Sequence, residues 1–315
     1  MIEPGRSDRW SRWLLEKRFG GDPGFEAEYV KVLHRVRDTV LDSASLTEGA
    51  VVLDVGAGDG LIAFGALQRI RPTGRVIFAD ISQPLLDHSH TLALQKGVAD
   101  RCTFIRASAE DLRSVPDESV DAVTTRSVLI FVADKGSAFR EFHRVLRPGG
   151  RISLFEPINR YAALTEPSTR VCGVGVPAIA DLAQRLWTFY RGLQPLETDP
   201  MMNFDERDLV ASCEGSGFVD IHLALHILVR PRTPIKWEVA LNASGNPHIP
   251  SLAEAIAQLF TADEAARYEK HVRPLVEAGR GVRREAIAYL VAAKPTEHPR
   301  IEYLEPGRNE SPRRQ

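Results

Sequence analysis

Residues 51–60, VVLDVGAGDG, are the stretch that decides the fold. The run Val51–Val55 is almost entirely aliphatic and ends at glycines, as in a strand that is buried on both faces of a parallel sheet. Three glycines follow at alternate positions, where the backbone can turn tightly and approach a ligand. Apolar residues then recur at helical spacing from Leu61 to Ile70, so a helix N-terminus points its amide groups at the loop. The stretch predicts a nucleotide-type site after the first strand.

The spacing of the glycines narrows the class of ligand. Gly56, Gly58 and Gly60 read G-x-G-x-G, whereas the dinucleotide fingerprint G-x-G-x-x-G requires glycine where Leu61 stands. A phosphate loop ending in Gly-Lys-Ser or Gly-Lys-Thr does not occur in the sequence. An NAD-dependent oxidoreductase is therefore disfavoured. On the glycines alone, a plain strand-to-helix turn stays open as the alternative.

Composition and charge exclude several classes of protein. The formal net charge of −2 argues against a general binder of nucleic acid or anionic membranes. Cys102, Cys172 and Cys213 are scattered, which is typical of free thiols rather than of disulfides or a zinc site. No signal peptide is recognisable, and no apolar run approaches the roughly 20 residues of a membrane span. We expect a cytoplasmic protein with a small-molecule partner, no metal site, no nucleic-acid partner and no membrane span.

A second buried strand is predicted at Arg75–Asp80, RVIFAD, and it ends in an acid about 20 residues beyond the last loop glycine. A carboxylate at this place can accept hydrogen bonds from both hydroxyl groups of an adenosine ribose. Ile81 follows it and is placed to cover a purine face. Ser82 is the predicted N-cap of the next helix. Asp80 and Ile81 are therefore candidate ligand contacts.

Further strands alternate with helices along the chain. The predicted strands are 102–106, 119–125 and 151–155, and a helix through Leu146 is expected to be stopped by residues 147–150. Such β–α alternation predicts right-handed crossovers and a parallel sheet. Ligands of such sheets bind at the carboxyl ends of the strands.

The motifs LDVGAGDG, FADIS, ASAEDL, SVDAV and RVLRPGGRISLFEP occur in this order within residues 49–157. Together they resemble the class I S-adenosylmethionine-dependent methyltransferases, in particular the small-molecule group that includes ubiquinone/menaquinone-type enzymes. The resemblance implies an α/β fold with a Rossmann-like seven-stranded methyltransferase sheet, mostly parallel with an antiparallel last strand, and helical cap insertions. It extends weakly to residues 208–218 and 286–294, with the sixth strand expected near 219–229 and the seventh near 285–293.

The resemblance implies S-adenosyl-L-methionine as the cofactor and assigns positions to it. The matching positions run from the methionine portion through the ribose and adenine to the amino-acid end: Asp54, Gly56, Ala57, Gly58, Gly60, Asp80, Ile81, Ser108, Ala109, Glu110, Thr125 and Arg126. Ser108 stands where the family often has aspartate. Arg126 offers a guanidinium to a carboxylate of the cofactor or the substrate, and a salt-bridged structural arginine is the alternative.

The segments outside the core are interpreted as a cover over the substrate. The expected units are an N-terminal helical lid at 1–48, the cofactor core at 49–158, a helical cap insertion at 159–205, a core helix and sixth strand at 206–230, a second helical insertion at 231–283, the last core strand at 284–295 and a disordered tail at 296–315. Tyr29 and His34 are candidate substrate contacts on the lid, for which packing against the sheet edge is the alternative. The insertions serve as a homodimer surface in the other interpretation.

The expected reaction is in-line attack of a small-molecule acceptor on the sulfonium methyl group, by O-, C- or N-methylation in secondary metabolism or cofactor biosynthesis. Positioning of the reactants supplies about 7–11 kcal/mol, and a general base adds roughly 3–5 kcal/mol. Positioning therefore dominates. Glu156 and Asn159, just past the fifth strand, are candidate catalytic residues, and Arg126 is a further substrate contact. Glu156 and Asn159 can equally satisfy loop amides.

Other functions predict other sequence features. A nucleic-acid amino-methyltransferase is expected to carry Asn/Asp-Pro-Pro-Tyr/Phe after the fourth strand, where residues 124–127 read TTRS. A metalloid methyltransferase would need converging thiolates, for which Cys172 and Cys213 are the candidate pair. The alternative from a different class keeps the fold and binds the cofactor for a non-methylating or structural role.

Overall fold

A computed structural model describes residues 7–296, so the predicted disordered tail lies almost wholly outside the described residues. The helices are α1 Arg9–Arg12, continued by a π-helical turn at Trp13–Lys17, α2 Pro23–Ser43, α3 Leu61–Arg69, α4 Gln83–Gln95, α5 Lys135–Val145, α6 Asn159–Thr165, α7 Ala180–Leu193, α8 Glu206–Gly215, α9 Trp237–Asn242, α10 Leu252–Leu259 and α11 Ala262–Glu277. The strands are β1 Val51–Val55, β2 Arg75–Asp80, β3 Cys102–Arg106, β4 Val120–Arg126, β5 Leu146–Pro157, β6 Arg170–Val171, β7 Val174–Gly175, β8 Val219–Pro231 and β9 Val282–Ala293.

Seven strands form one sheet in the order β3-β2-β1-β4-β5-β9-β8. The first five strands of this order are parallel, and β9 is antiparallel to both of its neighbours. This arrangement confirms the predicted Rossmann-like sheet with an antiparallel last strand. In the register, Val55 of β1 lies between Ala79 of β2 and Thr125 of β4. The ends of these three strands therefore meet at one edge of the sheet.

Two hydrophobic clusters cover the two faces of the sheet. On one face, Val40 of α2 and Ile62 of α3 pack with Phe78 of β2. On the other face, Phe139 of α5 packs with Leu154 of β5. These side chains are almost completely buried, and each contributes about 1.5–3 kcal/mol relative to exposure. The sheet that carries the strand ends is thus the rigid centre of the molecule.

The transition from α5 to β5 differs from the prediction. The helix ends at Val145, and Leu146 already belongs to β5. Residues 147–150 lie inside the strand as an irregularity, because Val120 pairs with Leu146 while Ala122 pairs with Arg151. Pro148 within this segment has no amide to donate to a ladder, which accounts for the interruption. Residues 147–150, which were predicted to separate the helix from the strand, therefore interrupt the pairing of β4 with β5 instead.

The two insertions pack together around a third hydrophobic cluster. Leu182 and Leu186 of α7 contact this cluster from the first insertion, and Trp237, Tyr268 and Val272 contact it from the second. Helices α7, α10 and α11 agree with the helical character expected of the two insertions. Helix α9 and the β6–β7 hairpin were not predicted, because six and two residues are too short to show a period.

Candidate active site

The glycine loop after β1 packs closely against its neighbours. Gly56 has a φ of 67°, a left-handed conformation that strains any residue with a side chain. Its amide donates a 2.7 Å hydrogen bond to the carbonyl of Ala79 in β2. A Cβ atom at Gly56 would lie 2.3 Å from Cγ2 of Val128, so a larger residue must displace the segment after β4. The loop backbone is thereby held between the ends of β2 and β4.

Asp80, the last residue of β2, connects this strand to the glycine loop. Its carboxylate accepts hydrogen bonds from the Gly58 amide at 2.8 Å and from the Ser82 amide at 2.9 Å. Burial raises the pKa of Asp80, and these two hydrogen bonds oppose the rise. A carboxylate has about four lone-pair sites. After the two amides, acceptor capacity remains for the ribose hydroxyl groups that the sequence predicts here.

An apolar surface adjoins this carboxylate. Ile81 follows Asp80 and keeps 44% of its surface exposed, which is unusual for a large aliphatic side chain beside a sheet. The Ala107 amide donates to the Asp80 carbonyl at 3.1 Å, which brings residues 108–110 beside the end of β2. The side chain of Ile81 is therefore available to cover a planar group bound next to Asp80.

The segment predicted to border the adenine is only partly open. Ser108 is half-buried and forms an isolated bridge with Asp111, while Ala109 is buried in the core cluster. Glu110 is exposed, and its Oε1 accepts a 2.9 Å hydrogen bond from the Asp134 amide at the start of α5. Ser108 thus stays a candidate contact for the adenine amino group, whereas the Glu110 carboxylate is engaged with the start of α5.

Asp54 lies beneath the loop rather than on its surface. Only 2% of it is exposed, and its Oδ1 accepts a 2.8 Å hydrogen bond from Thr124 Oγ1. The other oxygen, Oδ2, accepts the Ala63 amide of α3 at 3.1 Å. Burial raises the pKa of Asp54 to about 7, against the effect of these hydrogen bonds and of the Arg126 charge. The predicted contact of Asp54 with the cofactor stays a prediction, and its observed contacts support the start of α3.

The raised pKa of Asp54 makes a pH-dependent stability change testable. In Asp54→Asn, the amide can accept from Ala63 and donate to Thr124, so both hydrogen bonds can be kept. Because the folded pKa is higher than the unfolded one, the wild-type chain loses stability as pH rises from about 4 to about 7. We expect the variant to gain up to about 4 kcal/mol over wild type at pH 8 and little at pH 4. Urea unfolding at both pH values measures this, and an equal difference at both would contradict it.

The N-terminal segment lies over the glycine loop. Leu14, in the π-helical turn after α1, is buried, and its Cδ2 lies 3.1 Å from where a Cβ at Gly58 would be. Arg18 caps this turn, and its guanidinium carbon lies 5.6 Å, 5.3 Å and 5.5 Å from the ring centroids of Trp13, Phe19 and Tyr29. This arrangement fits the predicted lid, whose contacts with substrate stay a prediction.

The lid is fastened to the second insertion. The indole nitrogen of Trp13 donates a 2.9 Å hydrogen bond to the carbonyl of Ser244. Lys17 and Glu254 form an ion pair at 2.7 Å, and the Ser244 amide donates to the Lys17 carbonyl at 3.2 Å. The ion pair is half-exposed, so it contributes at most about 1 kcal/mol. The lid and the α9–α10 region therefore form one continuous cover.

Thr125 and Glu156 lie buried beneath the turn that follows β4. The Oε1 atom of Glu156 accepts hydrogen bonds from the amides of Val128 and Leu129, both at 3.0 Å, and Oε2 accepts from the Ile130 amide at 3.2 Å. The hydroxyl of Thr125 lies 3.4 Å from Oε1. Burial raises the pKa of Glu156 to about 7 against these three amide bonds. This geometry favours the amide-binding alternative for Glu156, and its catalytic role stays a prediction.

The remaining candidates lie at different depths. Asn159 is the first residue of α6 and is half-buried. Tyr29 is also half-buried and faces Arg18, as its ring distance shows. His34 is exposed on α2, where its charge acts on Asp38. The structure thus places Tyr29 against Arg18 and leaves His34 in solvent.

Sequence reasoning missed the part of the lid that faces the loop. Neither Leu14 nor Arg18 was singled out, although the two residues stand one helical turn apart in the sequence WLLEKR. Val128, which packs on Gly56, was also missed, because its contact joins segments 72 positions apart (128 − 56). Sequence spacing within one helix can indicate such a face, but it does not show which loop the face covers.

Three further features concern residues 7–296 as a whole. This part of the chain contains no group of three or more His, Cys, Asp or Glu residues arranged to hold a metal ion. None of its helices combines the length and the apolarity that crossing a membrane requires. An open depression of about 670 Å³ is lined by residues including Gln68 and Arg71. It lies at the C-terminus of α3, about 13 Å along the helix from the glycine loop.

Comparison with known proteins agrees with this geometry. Residues 53–154 match the model of a family described as "Methyltransferase domain". The match spans β1 to β5, and so includes the glycine loop, Asp80 and Arg126. Residues 53–154 are a class I S-adenosylmethionine-dependent methyltransferase domain.

Curated relatives resemble this methyltransferase domain only over part of their length. Ubiquinone/menaquinone biosynthesis C-methyltransferase UbiE of Hahella chejuensis is 37% identical over 125 residues, which cover 39% of this chain and 50% of the relative. The protein of the same name from Pseudomonas putida is 35% identical over 125 residues, covering 39% of this chain and 48% of the relative. The chain thus spans about half the length of the curated relatives it matches.

Solved structures are similar in fold to this chain. YcgJ of Bacillus subtilis has a TM-score of 0.53 at 20% identity, covering 83% of this chain and 99% of that chain. A candidate sarcosine dimethylglycine methyltransferase from Galdieria sulphuraria has a TM-score of 0.53 at 16% identity, covering 92% of this chain and 99% of that chain. At these identities the similarity concerns the fold alone.

Proposed function

We propose that the protein transfers a methyl group from S-adenosylmethionine to a small-molecule acceptor. The hydrogen bond from the Gly58 amide to the Asp80 carboxylate carries this proposal. It holds the glycine loop and the ribose-binding acid in one site, within the residues that match the methyltransferase domain. The exposed side chain of Ile81 beside Asp80 supports an adenine at this place. The cofactor therefore lies across the ends of β1 and β2.

The acceptor is enclosed by the lid and the two insertions. These segments lie outside the residues that match the family model. The names of the curated relatives favour C-methylation, with O- and N-methylation as the alternatives. Because the Glu156 carboxylate binds three backbone amides, it supports the turn after β4 rather than taking a proton from the acceptor. Methyl transfer here depends on in-line positioning, which supplies about 7–11 kcal/mol.

Calorimetry on the full chain tests the cofactor, with S-adenosylmethionine, S-adenosylhomocysteine and NAD titrated separately. We expect saturable binding of the first two and no binding of NAD, because Leu61 replaces the third dinucleotide glycine. Transfer is then measured as S-adenosylhomocysteine formed with hydroquinone, phenol and amine acceptors. Binding of NAD alone would overturn the proposal. Cofactor binding without transfer to any acceptor would favour the non-methylating alternative.

The metalloid alternative is not supported by the positions of its two cysteines. Cys213 is completely buried in the core cluster beneath the sheet, whereas Cys172 packs against the cluster of the insertions. Burial raises the pKa of both thiols, to about 12 for Cys213, so neither is a ready thiolate. The cytoplasmic location, the homodimer and the lack of a nucleic-acid partner stay predictions. Light scattering on the purified chain measures whether it is a dimer.

A further inference from the structure

Strand β8 leaves one edge of the central sheet open. It is the last strand in the sheet order, and within residues 7–296 it pairs only with β9. At 13 residues it is much longer than β3, the strand of five residues at the opposite edge. An unpaired edge presents its amide and carbonyl groups to any further strand, and proteins usually shorten or charge such an edge. The length of β8 therefore makes it a ready partner for another strand.

The side chains of β8 are also largely uncovered. Residues 221–229, IHLALHILV, contain no Asp, Glu, Lys, Arg or Pro. Ile221 and Leu223 pack against the core cluster next to α8. Ile227 and Val229, farther along the same side of the strand, keep 51% and 57% of their surface exposed. Large aliphatic side chains that are this exposed on a long edge strand mark a surface that binds a partner.

The sequence of β8 is complementary to itself when it is read in the opposite direction. In an antiparallel pair, residues that lie directly opposite each other point to the same side of the sheet. With Leu225 of two copies facing each other, Leu223 of one copy lies opposite Ile227 of the other. One step farther out, Ile221 lies opposite Val229. Each aliphatic side chain on this side of the strand then meets an aliphatic side chain of the second copy.

The two ends of β8 carry opposite charges. Asp220 precedes the apolar run, in the irregular part of the strand between Val219 and His222, and Arg230 follows the run. The same alignment brings Asp220 of each copy beside Arg230 of the other. Arg230 already binds Glu285 at 3.0 Å, but 57% of its side chain is exposed and a guanidinium has five N–H donors. A shift of two residues in either direction moves Asp220 about 7 Å along the strand from Arg230, so charge favours the first alignment.

We propose that two copies of this chain pair through β8, antiparallel and centred on Leu225, to form one continuous sheet. The pairing is isologous, because every contact occurs twice about a two-fold axis that passes between the two Leu225 residues. This inference goes beyond the proposed function, since β8 lies four strands, or about 19 Å, from β1 and its glycine loop. Both cofactor sites stay open in the pair. The interface is not formed by the two insertions, which were the dimer surface considered from the sequence.

Cysteine substitutions on and off the two-fold axis test the alignment. In Leu225→Cys the introduced thiols face each other, with Cα atoms about 4.5–5.5 Å apart, which a disulfide can bridge. In the matched control Ile227→Cys they are offset by about 13 Å along the strands, too far for a disulfide. The full chain is oxidised with copper–phenanthroline and run on a non-reducing gel, and the wild type shows any cross-link from Cys102, Cys172 or Cys213. We expect a cross-linked dimer from Leu225→Cys alone. Equal cross-linking of both variants, or of neither, would overturn the inference.

Sedimentation of the purified chain at about 10–100 µM tests the pairing itself. We expect the wild type to be a dimer. Ile227→Lys should raise the dimer dissociation constant about 100-fold or more, because each copy then buries an unpaired charge in the interface. Thr103→Lys places the same charge at an exposed position on β3, the opposite edge strand, and should leave the dimer intact. Thermal unfolding of each variant confirms that it is folded.

Asp220→Arg and Arg230→Glu test the charge pairing by complementation. Each variant alone sets like charges beside each other at both ends of the paired strands, which should weaken the dimer about tenfold. An equal mixture of the two variants restores opposite charges at both ends, so it should dimerise as tightly as the wild type. A wild type that is monomeric at the highest concentration would overturn the inference. A dimer that Ile227→Lys leaves intact, or a mixture no tighter than the single variants, would do the same.

Discussion

Replacing Asp80 by alanine is expected to weaken the binding of S-adenosylhomocysteine by at least about 100-fold. A hydrogen bond to a charged group contributes about 1.5–3 kcal/mol, and the ribose offers two hydroxyl groups. Together these give about 3–6 kcal/mol, or roughly 10²–10⁴ in the dissociation constant. The Gly58 amide also loses its acceptor, so the loop is held less firmly. Calorimetry on the full chain measures the change.

Two further variants separate the effect of the carboxylate's charge on binding from the effect of its position. Asp80→Asn keeps the size of the side chain and an oxygen acceptor but removes the charge, so its loss should be intermediate. Asp87→Ala removes an exposed carboxylate on the neighbouring helix α4 and should leave binding unchanged. Because burial raises the pKa of Asp80, the wild-type affinity should fall as acid pH protonates this group. An Asp80→Ala protein that binds as tightly as Asp87→Ala would refute the ribose assignment.

Sequence reasoning found the parts of the site that lie on a buried strand and on the turn directly after it. Val51–Val55 and Arg75–Asp80 were placed at their observed bounds, because buried parallel strands read as short aliphatic runs between breaks. Their parallel pairing then brings Asp80 to the glycine loop without further information. The alternation of strands and helices likewise predicted the parallel pairing of the central strands. Local pattern and topology were enough for this half of the site.

The other half depends on contacts between distant segments. Glu156 was considered a candidate for chemistry because it follows a strand, yet its partners are amides about 27 positions earlier. No periodicity in the sequence predicts that Arg18 lies among aromatic rings beside the loop. The short helix α9 was likewise not predicted by any sequence pattern. Ser244, which follows this helix, accepts the hydrogen bond from Trp13 of the lid. Packing of the additions on the core, rather than local preference, determines which of their residues face the ligand.

The lid also bears on how the cofactor enters. Leu14 lies against Gly58, and Trp13 and Lys17 fasten this segment to the second insertion. A ligand that reaches the glycine loop must therefore either pass beneath this cover or displace it. The polar contacts that fasten the cover include a part-buried hydrogen bond from Trp13, a backbone hydrogen bond to Lys17, and the Lys17–Glu254 and Lys236–Asp22 ion pairs, each of which is weak compared with the core. Displacement of the cover is thus compatible with a rigid sheet.

Gly56→Ala is expected to lower the free energy of unfolding by about 2–5 kcal/mol and to abolish cofactor binding. The left-handed backbone at φ 67° costs a residue with a Cβ about 1–2 kcal/mol. The added methyl group would lie 2.3 Å from Cγ2 of Val128, and relief of such overpacking costs typically about 1–3 kcal/mol more. Val128 is β-branched and stiff, so the backbone must move with it. Urea unfolding and calorimetry with S-adenosylhomocysteine measure the two effects.

Gly97→Ala is the matched control for this substitution. Gly97 has a similar φ of 65°, but nothing lies within 4 Å of the position of its Cβ. It should therefore show the cost of the left-handed backbone alone and keep full cofactor affinity. The double variant Gly56→Ala/Val128→Ala removes both Cγ atoms that the new methyl group meets, and it should recover most of the difference. If Gly56→Ala and Gly97→Ala lose equal stability, the close packing of Val128 on the loop does not determine which residues are tolerated at position 56. Backbone conformation would then be the whole reason for its glycine.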